Sequence, residues 1–442
     1  MNQMKRVLSY LLLALLAFSS CRKDNNDSVF SGTTDERINK VLGDYQAALA
    51  GAQYGWNARL ETAAGSVYNF HFSFNDANRV LMYGDIDTLT ASERKESSYR
   101  LKALQQPALL FDTYSYIHIL ADPDGGVNGG EYGEGLHSDF EFSLDSLAAD
   151  SIKLTGRFKG SKMVLKRASQ QDLQMWQNGQ WKNVLLFEDL GSRILNYFKR
   201  LNYGGTQYEI QVNGVERTVT FTWKDAGGAA HQHTTGYIVN GTGIQLTTPL
   251  VDGANTISSF SNFSWNTGTS SFTMNVNGTT PSAIVGAIAP VVVDLEGPRR
   301  WWNFMAQQDG YWATVNGFHV NGVDDAFGLR GIPDFMFLVF WPRFGTDAGV
   351  TYDLAGWVHN LGGTPTIMFG AAFEPPQFST NGRVVFPYYG TLGEVPPEAE
   401  DPYVNTAVQF IDPLGYYLVQ TSASTYDMVS VRDAKAWITW EY

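Results

Sequence analysis

Four aromatic residues spaced two apart, Tyr68, Phe70, Phe72 and Phe74, alternate with Asn69, His71 and Ser73. A period of two predicts an antiparallel strand with one face on a core and the other toward polar surroundings. Ahead of it, Ile38, Val41, Leu42, Tyr45, Leu49 and Ala52 recur at helical spacing. Thr33 or Thr34 is placed to cap that helix, Asp35 and Glu36 fall in its first turn, and Gly55 before Trp56 stops it. The period of two then continues, and predicts strands at 79–85, 97–103, 108–120, 139–145, 151–158 and 162–167.

The polar segment 170–183, "QQDLQMWQNGQWKN", interrupts this pattern and predicts a domain boundary. Beyond it, Leu186, Leu190, Ile194, Leu195 and Phe198 predict a second helix over about 185–201, ending before Gly204 and Gly205. Strands follow at "RTVTFTW", "TTGYIV", "GIQLT" and "SFTMNV". After "APVVVDLEGP", the run "RRWWNFMAQQ" predicts a third helix stopping near Gly310, and Trp312 follows that glycine much as Trp56 follows Gly55. The strand "DFMFLVFW" is apolar on both faces and asks to be covered twice, and "AKAWITWEY" closes the chain as a strand. The expected fold is mainly β with a few helices: antiparallel meander half-barrels or sandwiches, each led by a helix. The units are expected at 34–168, 185–292 and 293–442, as an old internal repeat.

Composition agrees with a β-rich chain: 44 glycines, 14% aromatic residues and only 17% charged ones. The N-terminus changes the picture more. Lys5 and Arg6 precede an unbroken apolar run from Val7 to Phe18, and "FSSC" ends in Cys21. That order predicts a signal peptide over 1–20 and a lipidated tether over 21–33, with Cys21 as the lipid attachment site. Such a chain is exported and held to a membrane by its acyl groups. Cys21 is the only cysteine, so the folded part has no disulfide, thiolate ligand or thiol nucleophile. Net charge is -13, and loss of Lys5 and Arg6 takes it to -15, which argues against nucleic acid and anionic lipid as partners. Asp24 and Asp27 in the tether resemble an acidic surface-export signal, favouring the cell surface over the periplasmic face of an outer membrane.

Catalytic signatures are sparse. No GxSxG, HExxH or GxxxxGK[ST] occurs. Asp324 with Asp325, or Glu394, Glu398, Glu400 and Asp401, could supply the two carboxylates of a glycoside hydrolase, although a solvated acidic loop is the simpler account. His231 and His233 have the spacing of two imidazole ligands on one strand face, without a third ligand nearby, and His71 belongs to the polar face of its strand. Between "FDTYSYIHIL" and "DFEF" lies an 18-residue connection, 121–138, in which Asp122, Asp124, Asn128 and Glu131 are hard oxygen donors. No cofactor is expected: calcium, ahead of zinc, is the ion such donors would take, but the spacing departs from that of an EF-hand and the segment reads first as a long hairpin tip. In the hairpin register the sequence suggests, His118 opposes position 141. The third unit holds seven of the twelve tryptophans, and it is where a ligand platform is expected, with Tyr388, Tyr389 and Trp357 as candidate ligand residues. Asp27, Asp87, Asp145 and Asp150 each begin an Asp-Ser or Asp-Thr followed by an apolar residue, which resembles an O-glycosylation acceptor and is equally an ordinary turn start.

Cys21 with its tether, the leading helix ending in "GW", "SSYRL" at 97–101, "FDTYSYIHIL" at 111–120, "DFEF" at 139–142 and the closing "YDMVSVRDAKAWITWEY" together carry a resemblance. They are similar to a Bacteroidota lipoprotein family known only as a domain of unknown function, whose members are encoded near SusC-like and SusD-like uptake proteins. The resemblance implies an accessory surface protein of nutrient acquisition, with a glycan, a peptide or a partner protein as ligand. It brings no catalytic residue. A hydrolase with an unrecognised carboxylate pair and a structural subunit of an outer-membrane complex stay open as alternatives.

Overall fold

The structure, a computed structural model, describes residues 33–442. The expected signal peptide, the tether with Cys21, and Asp27 lie outside the described residues.

Helix α1 (Thr34–Ala50) starts with a capping box that selects Thr33 as cap: its hydroxyl accepts from Glu36 N at 3.2 Å, and the Glu36 carboxylate accepts from Thr33 N at 2.8 Å. Only its C-terminal half docks, through Tyr45 and Leu49. Eight strands follow: β1 (Trp56–Glu61), β2 (Val67–Phe74), β3 (Arg79–Gly84), β4 (Lys95–Ala103), β5 (Pro107–Phe111), β6 (Glu141–Leu147), β7 (Ser151–Gly156) and β8 (Lys162–Arg167). They form a closed antiparallel barrel, β8 pairing back onto β1. Alternation puts Trp56, Ala58, Leu60, Phe70, Phe72, Met163 and Leu165 inside, so the lumen is a packed core. Trp56 Nε1 donates to Leu49 O at 3.0 Å and ties the helix to the first strand.

The strand expected over 108–120 ends at Phe111. The chain then turns into a short helix, α2 (Tyr116–Ile119), and a second, α3 (Gly125–Asn128). Tyr116, Ile117 and Leu120 are buried at helical spacing, and the His118 ring accepts from Ser115 N at 3.1 Å, which together favour the helical turn over a strand. Leu110, not His118, therefore faces Glu141.

Segment 170–183 is helical rather than irregular: α4 (Gln170–Gln177) is capped by Ser169 and Asp172, and α5 (Gln180–Leu185) follows left-handed Gly179. Trp176 stacks between Tyr83 and Trp181, at 5.8 and 4.2 Å between ring centroids, and this buried stack pins both helices. The helix expected over 185–201 is reduced to α6 (Leu190–Arg193). Asn196 and Tyr197 bond to the backbone of Asp433 and Ala434 and pull the chain into a strand instead.

That strand, β9 (Phe198–Tyr203), closes a second eight-stranded barrel with β10 (Thr206–Asn213), β11 (Thr218–Lys224), β12 (Ala230–Asn240), β13 (Gly243–Asp252), β14 (Asn255–Asn266), β15 (Ser271–Val276) and β16 (Thr280–Ala287). Phe187 packs within this barrel's core against Tyr237, Phe260 and Phe263.

Helix α7 (Gly297–Gln308) leads the third unit: β17 (Trp312–Thr314), β18 (Phe318–Val320), β19 (Phe335–Asp347), β20 (Val350–Leu361), β21 (Thr364–Phe373), β22 (Gln377–Phe378), β23 (Val384–Val385), β24 (Tyr388–Leu392), helix α8 (Glu400–Phe410), β25 (Tyr416–Gln420), β26 (Thr425–Ser430) and β27 (Ala436–Glu441). Its last strand also returns to its first, β27 to β17, but β24 and β22 do not pair, so the sheet stays open there. Trp312 Nε1 donates to Trp301 O at 3.0 Å, the same tie of strand to leading helix that Trp56 makes. On β19, Leu338, Val339 and Phe340 are buried on both faces, while Met336 reaches solvent. No helix among the described residues is long and apolar enough to cross a membrane.

The two barrels are joined by a buried polar cluster. Arg217, between β10 and β11, is 2% exposed and donates to Val67 O, to Asp85 O and, at 3.2 Å, to Asp85 Oδ2. Its Nε lies 3.3 Å from Glu188 Oε1 without pointing at it, and the guanidinium covers the Tyr68 ring at 4.4 Å. Asn69 reaches across from the first barrel to Val239 O at 3.0 Å. The polar face of β2 is thus inter-barrel contact, and His71 on it is buried, bonded to Tyr54 O at 2.8 Å, its pKa lowered by burial.

Candidate functional site

Helix α7 divides its side chains between two environments. Trp301, Trp302 and Met305 enter the core, whereas Arg300, Asn303, Phe304 and Gln307, at spacings of three and four, face outward. Together with Trp312, Gln420, Tyr426 and Tyr442 they line an open cleft of 580 Å³, within the size range of small-ligand sites.

Its apolar wall is a ring cluster. Phe304 lies 4.7 Å from Tyr442 and 5.7 Å from Trp312, and Trp312 meets Tyr442 and Tyr426 edge-on at 5.2 and 5.4 Å. Trp312 and Tyr426 are buried, but Phe304 and Tyr442 present 38% and 58% of their surface. Two exposed rings backed by two buried ones form a stiff platform, so little side-chain entropy is lost when a ligand covers it.

The polar wall is partly committed. Arg300 is held by Asp294 through both terminal nitrogens, and this bond keeps the Asp294 carboxyl below the usual range and raises the arginine. Arg299 covers the Phe378 ring at 4.9 Å. Gln420 donates to Ser422 O at 3.0 Å. The side-chain amides of Asn303 and Gln307 have no hydrogen-bond partner among the described residues, so both are available to a ligand. Among the side chains lining the cleft, Glu296 carries the one carboxylate. The cleft can therefore bind hydroxyls and amides beside an aromatic face, but it does not present the carboxylate pair that glycoside hydrolysis uses.

Of the candidate ligand residues, Trp357 is a core residue: it is fully buried against Phe369 and Tyr403 and offers no surface to a ligand. Tyr388 and Tyr389 lie on β24, Tyr388 exposed and Tyr389 half-buried, and their hydroxyls are held by the protein. The hydroxyl of Tyr388 meets Thr391, and Tyr389 stacks on Tyr352 and donates to Asp347 at 3.0 Å. The acidic candidates also serve the fold. Asp325 accepts from Leu329 N and Arg330 N, Asp324 pairs with His319, and Glu400 and Asp401 occupy the first turn of α8. His231 and His233 go to separate partners, Asp225 and Thr248 O. Asp87 accepts from Thr90 N in a turn and Asp145 from Thr155.

Three of the four loop donors are likewise engaged through their side chains. Asp122 accepts from Tyr114 and from Asp124 N, Asp124 caps α3 at Gly126 N, and Asn128 donates to Ile119 O and Asp122 O. Glu131 pairs with Gly135 through a backbone bridge. Among the described residues no group of three or more His, Cys, Asp or Glu is placed to hold a metal ion. The glycines let the loop fold onto itself: a Cβ on Gly135, at φ +58°, would stand 2.5 Å from Asp122 O, and one on Gly129 would stand 2.9 Å from Val215 of the second barrel. Gly135→Ala is expected to cost about 1–3 kcal/mol locally, seen as faster proteolysis within 112–140 than in the wild type.

Sequence reasoning missed Phe304, Tyr442, Asn303 and Gln307. The signal was present in "RRWWNFMAQQ", where the face opposite the tryptophan pair carries one aromatic among polar groups. Tyr442 had none, because its place beside Phe304 is a tertiary contact.

No curated protein matches the chain. Among solved structures, the Helicobacter pylori beta clamp in complex with carprofen is 8% identical, covering 92% of this chain and 97% of that chain, with a TM-score of 0.13, too low for a shared fold. A family model described as a domain of unknown function, DUF4302, matches residues 26–267, which takes in the first barrel and the second as far as β14. That is more than half of the chain, and the chain belongs to this family.

Proposed function

We propose that this protein is an exported, lipid-anchored outer-membrane protein, facing the cell surface, that binds a glycan as an accessory component of a SusC/SusD-like nutrient-uptake system. The N-terminal pattern ending at Cys21 and the family resemblance support the address and the setting. The observation that carries the binding role is the α7 cleft, where exposed Phe304 and Tyr442 stand beside the uncommitted amides of Asn303 and Gln307. Sugar rings offer an apolar face to such a platform and hydroxyls to such amides.

A glycan array probed with the purified chain lacking residues 1–21 is expected to show retention without product release. Removing each exposed ring costs about 1 kcal/mol, so F304A/Y442A is expected to weaken binding by at least tenfold. Product release would favour a hydrolase; undiminished binding by the double variant would place the ligand elsewhere. For the address, proteinase K on intact cells is expected to degrade the protein along with a surface marker.

A further inference from the structure

The junction of the two barrels holds a second cavity, and its chemistry differs from that of the α7 cleft. Strand alternation turns Asn57, Arg59, Asn69, Val164 and Lys166 to the outside of the first barrel. Helices α4 and α5 cross over this face on their way to the second barrel, and the space left between is 420 Å³.

Its walls are mainly apolar: Val164 on one side, Met175, Trp176 and Trp181 on the other. The stack Tyr83–Trp176–Trp181 makes the far wall rigid. Gly241 of the second barrel locks it from behind, since a Cβ there would come within 2.2 Å of the Met175 methyl and 3.0 Å of Trp181 Nε1.

The polar groups at the rim sort by what they already hold. Asp172 accepts from Ser169 N at 2.8 Å and from its hydroxyl at 2.7 Å, and Asn57 also donates to it. Asn69 is committed to Asp85 at 2.7 Å and to Val239 O. Arg59 keeps a 3.1 Å pair with Glu61 that is about half exposed on both sides, which is worth little and is easily exchanged. Lys166 is paired through its backbone within the barrel, but its side chain has no ion pair or hydrogen bond among the described residues. An apolar slot whose uncommitted polar groups are all donors, the Lys166 ammonium and the unpartnered Trp181 Nε1, with a second exchangeable cation beside them, selects a ligand with an apolar body and an anionic head.

We propose that this inter-barrel cavity binds a small anionic amphiphile, a carboxylate on an apolar chain or ring, with Lys166 and Arg59 at the head group and Val164, Met175 and the Trp176–Trp181 pair around the body. The site lies within the part of the chain matched by the family model and is independent of the α7 cleft.

Isothermal titration of the chain lacking residues 1–21 with dodecanoate, and with dodecan-1-ol as the uncharged control, tests this. Wild-type protein is expected to bind dodecanoate saturably, at least fivefold more tightly than the alcohol. K166Q should remove that preference without changing affinity for the alcohol, V164W should fill the slot and abolish both, and F304A should change neither. The proposal is overturned if wild type shows no saturable binding, if it does not prefer the acid, or if K166Q keeps the full preference. K166Q alters an exposed side chain, so the test stands even if V164W fails to fold.

Discussion

Arg217→Ala is expected to destabilise the joined barrels by about 3–5 kcal/mol, because it leaves buried acid groups without their cation. The wild-type guanidinium satisfies Val67 O, Asp85 O and Asp85 Oδ2 and lies 3.3 Å from Glu188, and neither it nor Asp85 is more than 2% exposed. Both acids come from the segments that meet at the junction: Asp85 follows directly on β3, and Glu188 lies between α5 and α6. Water cannot replace the lost donors without opening the interface. Differential scanning calorimetry should show the loss, and hydrogen exchange should place it on β2, β3 and β11. Arg217→Lys keeps the charge but not the fork that reaches three oxygens at once, and should recover only part of the stability. If R217A melts within 1 kcal/mol of wild type, the cluster does not hold the barrels together.

The second large effect is a pH dependence centred on Glu188. Burial pushes its carboxyl up to about 7, against the pull of Arg217, while Asp85 and Asp87 repel its charge and Tyr237 donates to it at 3.0 Å. A carboxyl raised on folding binds more protons in the native state than in the unfolded one between its ordinary value near 4.5 and about 7. Its stabilising contribution is therefore full at acid pH and is lost as pH rises through 7, by about 3 kcal/mol in all. Other groups titrate near this window. Burial raises Asp353 to about 6, which adds to the trend, and lowers His71 and His118, which opposes it. The difference between wild type and E188Q isolates the one group. E188Q should be more stable than wild type by about 2–3 kcal/mol at pH 8 and nearly equal to it at pH 5. A difference that does not change with pH would mean that Glu188 is ionised throughout.

How legible this molecule was depended on whether a pattern was local. Alternation in "YNFHFSF" marks β2, and the spacing of Tyr45 and Leu49 marks the buried end of α1. "FDTYSYIHIL" misled because it is apolar throughout: such a run fits a strand or a turn of helix, and burial of Tyr116, Ile117 and Leu120 in an already packed barrel selected the helix. "QQDLQMWQNGQWKN" looked like a polar break because its two tryptophans are few among polar residues. The stacking of Trp176 on Tyr83, a residue distant in the chain, and of Trp181 on Trp176 is what makes the segment structural. The abundance of aromatic residues around Trp357 suggests a ligand platform but does not reveal which rings the core consumes.

Local pattern specifies the β-rich class, the helix that leads the first and third units, and the tryptophan after each of those helices, because periodicity, caps and glycine stops act over a few residues. That two meanders close and the third stays open, that Arg217 meets Asp85 and Glu188, and that Phe304 and Tyr442 share a cleft are outcomes of tertiary packing. Closure depends on whether the last strand returns to the first, and buried charges and binding surfaces depend on neighbours far apart in the chain. No local pattern encodes either, since both follow from how the finished sheets pack.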